Sequence, residues 1–117
     1  MKRAAIATGL ILAASVQVAT AQYLTGAPRE NFIKGVVGGC MREKLKDEES
    51  KVIPNSLFER AYCRCYATTL ADHIPAVELT MNSPTDTPVT RAASQTCYQS
   101  MKAEAVKLYQ EGRYPKE

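Results

Sequence analysis

The sequence predicts an all-α fold: a small bundle of three main helices plus one short helix, stapled by two disulfides. Apolar residues recur at helical spacing in three segments, and no stretch alternates as a half-buried strand does. Leu, Ile, Val and Phe make up 17 of the 96 residues after position 21, so the core is thin. Four cysteines offer the additional stability that such a core requires.

Residues 1–21 have the composition of a secretory signal peptide. Lys2 and Arg3 precede an uncharged apolar run, and Ala19-Thr20-Ala21 forms a small-x-small cleavage site. The predicted mature chain is therefore 22–117, a single helical domain with a short polar C-terminal tail. No other stretch approaches the length of a bilayer span. The sequence thus predicts a periplasmic or secreted protein without membrane association after signal removal.

The charge of the mature chain excludes one class of partner. Without Lys2 and Arg3, thirteen basic residues stand against twelve acidic ones, and the two signs alternate along 42–51. A nucleic-acid-binding protein concentrates its basic residues on one face. No nucleic-acid partner is therefore predicted.

The first main helix is predicted from apolar residues at helical spacing, including Phe32, Val36 and Cys40. Glycines at 35, 38 and 39 each weaken a helix by about 1 kcal/mol relative to alanine. They indicate either close approach of a neighbouring helix or a break before Cys40. Tight packing against a neighbour is favoured over a phosphate-binding glycine loop, because no strand precedes these glycines and no Lys-Ser/Thr follows them.

A charged connector is predicted at 47–54. The second main helix follows it, begins at the capping box Ser56-Leu57-Phe58-Glu59 and runs to about Asp72. At the rotation of an α-helix, Cys65 lies at the centre of one face and Cys63 on the opposite side. We therefore expect neighbours on both sides of this helix.

A short helix is predicted from Pro75, because proline is favoured in a first turn. Thr87 and Pro88 then form the N-cap and first residue of the last helix, which runs to about Tyr109 and ends before Gly112. Its apolar stripe consists of Val89, Ala93, Cys97, Met101 and Leu108.

Cys40, Cys63, Cys65 and Cys97 predict a disulfide framework, since they are an even number in a short exported chain. Residues two apart on a helix diverge, which excludes Cys63–Cys65. Two pairings remain: Cys40–Cys65 with Cys63–Cys97, or Cys40–Cys63 with Cys65–Cys97. The first is favoured, because a short connector places the first two helices side by side with their main apolar stripes facing each other.

No catalytic, metal or cofactor site is predicted, and the protein is not expected to be an enzyme. The single histidine, His73, and the absence of a Gly-x-Ser-x-Gly motif leave no nucleophile and base pair. An oxidising compartment disfavours the free thiolates that bind metals. His73 is expected to interact with the C-terminal end of the second main helix.

Tyr66 and Tyr98 are candidate interface residues, because tyrosine buries a large area at low entropic cost and keeps a polar tip. Tyr62 is expected to pack inside the domain instead.

The sequence Ala61-Tyr62-Cys63-Arg64-Cys65-Tyr66-Ala67, between Cys40 and Cys97, resembles small exported four-cysteine helical proteins of Gram-negative bacteria, which are functionally uncharacterised. The resemblance covers roughly 32–101, implies fold and compartment, and transfers no functional residue. A looser analogy links the chain to helical, disulfide-bonded periplasmic immunity proteins of type VI secretion systems.

The predicted function is an exported, non-enzymatic binding protein, such as an inhibitor, immunity or assembly factor. It would act on another protein through a rigid helical surface. The alternative is a periplasmic thiol-redox or metal-handling protein that uses Cys63 and Cys65.

Overall fold

The fold was obtained as a computed structural model that describes residues 22–81 and 86–116; the predicted signal peptide lies outside them. The described residues form five helices and no strand, so the all-α fold class is confirmed. The helices are α1 (Gly26–Lys44), α2 (Glu48–Lys51), α3 (55–73), α4 (Ala76–Met81) and α5 (Pro88–Gln110).

α1 is continuous through Cys40, and its glycines do not contact a neighbouring helix. A Cβ atom added at Gly35 would meet no described atom within 4 Å. At Gly38 or Gly39 it would meet the Arg42 guanidinium, at 3.6 and 3.7 Å. The expected close packing against a neighbouring helix is therefore wrong. Gly35 leaves open space along α1, whereas the Arg42 side chain of the same helix lies over Gly38 and Gly39.

α2 is a single helical turn inside the segment predicted to be a charged connector. The Asp47 carboxylate accepts a 2.9 Å hydrogen bond from the backbone N–H of Ser50. Hydrogen bonding to the Ser50 side chain, and secondly to this N–H, lowers the pKa of the Asp47 carboxyl. Glu48 and Glu49 lie in the first turn, where the helix dipole favours negative charge. These local interactions account for the additional short helix.

α3 begins at Asn55, directly after Pro54. The predicted capping box is therefore wrong, because Ser56 already lies within the first turn and cannot be the N-cap. Proline at the N-cap position ends the preceding connector and leaves the first helical amides without a side-chain cap.

The middle of α3, Phe58–Cys63, is π-helical, and the Arg64 N–H donates to the carbonyl of Glu59, five residues earlier. This wider turn brings Phe58 and Cys63 onto one face, whereas an α-helix would separate them by about 140°. Both side chains are buried. Compared with an uninterrupted α-helix, the π-helical segment therefore rotates the two cysteines of α3 about the helix axis relative to its first turn.

α5 has the predicted boundaries, and both are set by local signals. Thr87 Oγ1 accepts from the Thr90 N–H at 3.2 Å, and Pro88 is the first helical residue. At the other end, Gly112 has φ +70° and the Arg113 N–H donates to the Leu108 carbonyl at 2.8 Å. This hydrogen-bond pattern is a Schellman motif, in which glycine adopts the left-handed conformation at low cost.

α3 packs between α1 and α5, as the two divergent cysteines predict. The core has two clusters of buried residues. The first contains Leu57, Phe58, Cys63, Met101 and Leu108. The second contains Leu70, Ile74, Leu79 and Ala93. No helix in the described part of the chain has the length and apolar content of a membrane span.

Two disulfides join α3 to both of its neighbours. Cys40–Cys63 links it to α1 and Cys65–Cys97 links it to α5, which confirms two bonds and the exclusion of Cys63–Cys65. The favoured pairing, Cys40–Cys65 with Cys63–Cys97, is wrong. It assumed an α-helical rotation throughout α3, whereas the π-helical segment brings Cys63 onto the buried face with Phe58, beside α1.

Candidate functional site

An open groove of about 880 Å³ lies between α1, α3 and α5 and extends to the start of α2. Its apolar wall comes from Val36, Phe58 and three tyrosines, and Gly39 of α1 also lines it. We call it the tyrosine groove, after Tyr62, Tyr66 and Tyr98.

Tyr62 is the centre of the aromatic cluster in this groove. Its ring centroid lies 4.9 Å from that of Phe58, 6.3 Å from that of Tyr66 and 5.9 Å from that of Tyr98. The Tyr62 and Ser94 hydroxyls are 2.7 Å apart and share a hydrogen bond between α3 and α5. The i, i+4 spacing of Tyr62 and Tyr66 on α3 places both rings along the same wall.

Tyr98 and Tyr66 flank Tyr62 and are both half-buried. The Tyr98 hydroxyl donates a 2.8 Å hydrogen bond to Glu49, and this bond raises the pKa of Tyr98 to about 12. Burial, with a smaller effect from Tyr62, raises the pKa of Tyr66. Both phenols therefore remain neutral hydrogen-bonding groups across the physiological pH range.

Two cations line the same groove. Lys44 is only 3 % exposed; its Nζ donates to the Lys51 carbonyl at 3.3 Å and lies 5.7 Å from the centroid of the Phe58 ring. Arg42 is exposed, and its guanidinium lies above the glycines of α1. Neither side chain forms an ion pair with a carboxylate in the described part of the chain.

A second cavity of about 400 Å³ adjoins the tyrosine groove and shares Val36 and Tyr66 with it. Phe32, Leu70 and Leu79 make this cavity apolar, and Gly35 lies at its edge. Gly35 and Gly39 are one helical turn apart, so the two cavities follow the same side of α1.

The structure brings Tyr66 and Tyr98, the predicted interface residues, to one groove, and their role in binding stays a prediction. Tyr62 is packed as expected, but it also lines the groove. The sequence reasoning missed Arg42 and Lys44. Lys44 continues the apolar spacing of Val37 and Met41 along α1, and a lysine at that spacing is the signal that could have identified it.

The four cysteines and His73 do not come together as a set of metal ligands. All four cysteines are in disulfides, and the residues that the structure describes contain no group of three His, Cys, Asp or Glu suited to a metal ion. His73 Nδ1 lies 3.0 Å from the Thr69 carbonyl in the last turn of α3, consistent with the expected position at the helix end. The Cys65–Cys97 disulfide and His73 line a separate cleft of about 280 Å³.

Comparison of the chain with protein-family models, with curated proteins and with solved structures finds no match in any of the three.

Proposed function

We propose that the protein is an exported, non-enzymatic binding protein, an inhibitor, immunity or assembly factor, that holds part of another protein in the tyrosine groove. The observation that carries this proposal is the convergence of Tyr62, Tyr66 and Tyr98 on one open groove. Tyrosines are enriched among residues that dominate interface energies. The groove offers three such rings on one continuous surface.

The disulfides support the same proposal, because they link the walls of the groove. α1, α3 and α5 all contribute to it, and each is covalently joined to a neighbour. A binding surface that is rigid before association loses less conformational entropy on binding. Reduction of the disulfides should therefore weaken partner binding even where the helices persist.

Export is the second part of the proposal. The signal-like residues 1–21 support it, and two disulfides are compatible with an oxidising compartment. Intact-mass measurement of exported protein should give a chain that begins at Gln22. Exported material that retains Met1 would contradict this part.

Site-specific photocrosslinking tests the groove. A photoreactive phenylalanine analogue at Tyr66 should form a covalent adduct with a defined partner in cells that export the protein. The same analogue at Tyr109, which is 76 % exposed and does not line the groove, is the matched control. Equal labelling from both positions would contradict binding in the groove.

The alternative, a thiol-redox or metal-handling protein that uses Cys63 and Cys65, has one supporting observation. The Cys65–Cys97 disulfide lines the cleft that contains His73. Against it, Cys63 is fully buried and belongs to a different disulfide, so the two cysteines do not form one reactive pair. Counting free thiols in protein purified from the export compartment separates the two functions. No free thiol favours the binding function. Two or more free thiols, or bound metal, favour the alternative.

A further inference from the structure

The start of the predicted mature chain is held against the fold, although its first residue is exposed. The Gln22 carbonyl accepts a 2.8 Å hydrogen bond from the backbone N–H of Ala76, the first residue of α4. Two residues further on, Leu24 packs against the second core cluster, which includes Leu70 and Leu79. Gln22 is therefore anchored at α4 by its backbone carbonyl.

The hydrogen bond from Ala76 to Gln22 matters for α4. The first N–H groups of a helix have no acceptor within that helix, and an N–H that is shielded from water without an acceptor is unfavourable. Ala76 is half-buried, and the Gln22 carbonyl supplies the acceptor that its N–H requires. Loss of Gln22 would remove this acceptor, so the first residue of the mature chain contributes to the fold.

The contact with Ala76 uses only the carbonyl of Gln22, and the chemically reactive groups of an N-terminal glutamine are its α-amino group and its side-chain amide. Cleavage after Ala21, the predicted signal site, would release that α-amino group. With an ordinary pKa of about 7.7–8.0, part of the α-amino population is neutral and nucleophilic near neutral pH. The two groups belong to one residue, so their effective concentration is high.

We infer that Gln22 is a modification site, at which the α-amino group and the side-chain amide condense to a pyroglutamyl ring after signal cleavage. The bond from the α-nitrogen to Cδ forms and the bond from Cδ to Nε2 breaks. Ammonia leaves, and it carries away one proton of the neutral amine. The reaction consumes no oxidant, reductant or second substrate. This inference rests on the export part of the proposed function.

The product is compatible with the contacts that anchor Gln22. The backbone carbonyl lies outside the pyroglutamyl ring, so the hydrogen bond from Ala76 is retained. The exposed position of Gln22 leaves room for the ring to close. Cyclisation also removes the primary amine that aminopeptidases require. The modification would therefore protect the residue whose carbonyl binds the start of α4.

Intact-mass measurement of the exported, oxidised protein tests the inference. After incubation at neutral pH, the parent should be lighter than chain 22–117 with two disulfides by one molecule of ammonia. Fragmentation of the intact ion should assign this loss to the first residue. The mass is measured before any digestion, because peptides that begin with glutamine also cyclise during proteolysis.

Gln22→Met is the matched control. Methionine keeps the backbone carbonyl, the α-amino group and a side chain of similar length, but it has no amide for the amine to attack. This variant should have the full mass of its chain under the same conditions.

The masses separate this inference from export. Chain 22–117 that keeps its full mass after incubation, or an equal loss of ammonia in Gln22→Met, would overturn the modification and leave export intact. An exported chain that begins at a residue other than Gln22 would do the same. Exported material that retains Met1 would contradict both signal cleavage and the modification.

Discussion

The Tyr98 hydroxyl donates a 2.8 Å hydrogen bond to Glu49 Oε1 and so joins α5 to α2, 49 residues apart in the sequence. The bond holds the one-turn helix of the connector against the long C-terminal helix. It also places a neutral phenol, bound to a carboxylate, at the edge of the tyrosine groove.

This bond predicts a pH dependence. Glu49 raises the pKa of Tyr98 from its ordinary value of 10.0 to about 12, so the folded state favours the protonated phenol. The stabilisation is fully present below about pH 10 and is lost as pH rises towards 12. Ultraviolet titration should show a tyrosine that ionises near pH 12 and is absent in Tyr98→Phe. An unchanged titration curve in that variant would contradict the assignment.

Tryptic mapping without reduction tests the disulfide pairing, because cleavage after Arg64 separates Cys63 from Cys65. Peptide 35–42 should be linked to 61–64, and 65–91 to 92–102. Linkage of 35–42 to 65–91 would instead support the other pairing and remove the role assigned to the π-helical segment.

Loss of either disulfide should destabilise the protein strongly. The bonds join residues 23 and 32 apart, and closing loops of this size stabilises a fold by about 3–4 kcal/mol through the unfolded state. Denaturant unfolding of the double variants C40S/C63S and C65S/C97S measures this difference. If either double variant has the same free energy of unfolding as the parent, the disulfide that it lacks does not stabilise the fold.

Gly35→Ala should stabilise the protein. Gly35 lies inside α1, and an added Cβ meets no described atom within 4 Å, so alanine gains helix propensity without a clash. The expected increase in the free energy of unfolding is about 1 kcal/mol. Gly112→Ala is the opposing control, because its φ of +70° is strained for any L side chain. A destabilising Gly35→Ala would reveal close packing at that position.

Local sequence signals predicted those parts of the fold that depend on local interactions. Thr87, Pro88 and Gly112 set the ends of α5 through hydrogen bonds to near neighbours, so its boundaries could be predicted. The π-helical turn has no such signature. It forms where α3 packs between two helices, and the disulfide pairing that depends on it could not be derived from an α-helical projection.

The candidate site could be predicted only in part, because its residues are brought together by the packing of helices that are distant in the sequence. Tyr66 and Tyr98 could be singled out by residue type, but their meeting around Tyr62 depends on how α5 lies against α3. Lys44 was missed because a lysine in a helix is ordinarily solvated, whereas here Phe58 and the Lys51 carbonyl enclose it.

The placement of the two disulfides has a consequence for the continuity of the chain. Cys63 and Cys65 attach α3 to α1 on one side and to α5 on the other. A protease could therefore cut within 45–54 and again within 74–87 without releasing any of the three long helices. The product would be three peptides that stay together as one covalent molecule until a reductant separates them.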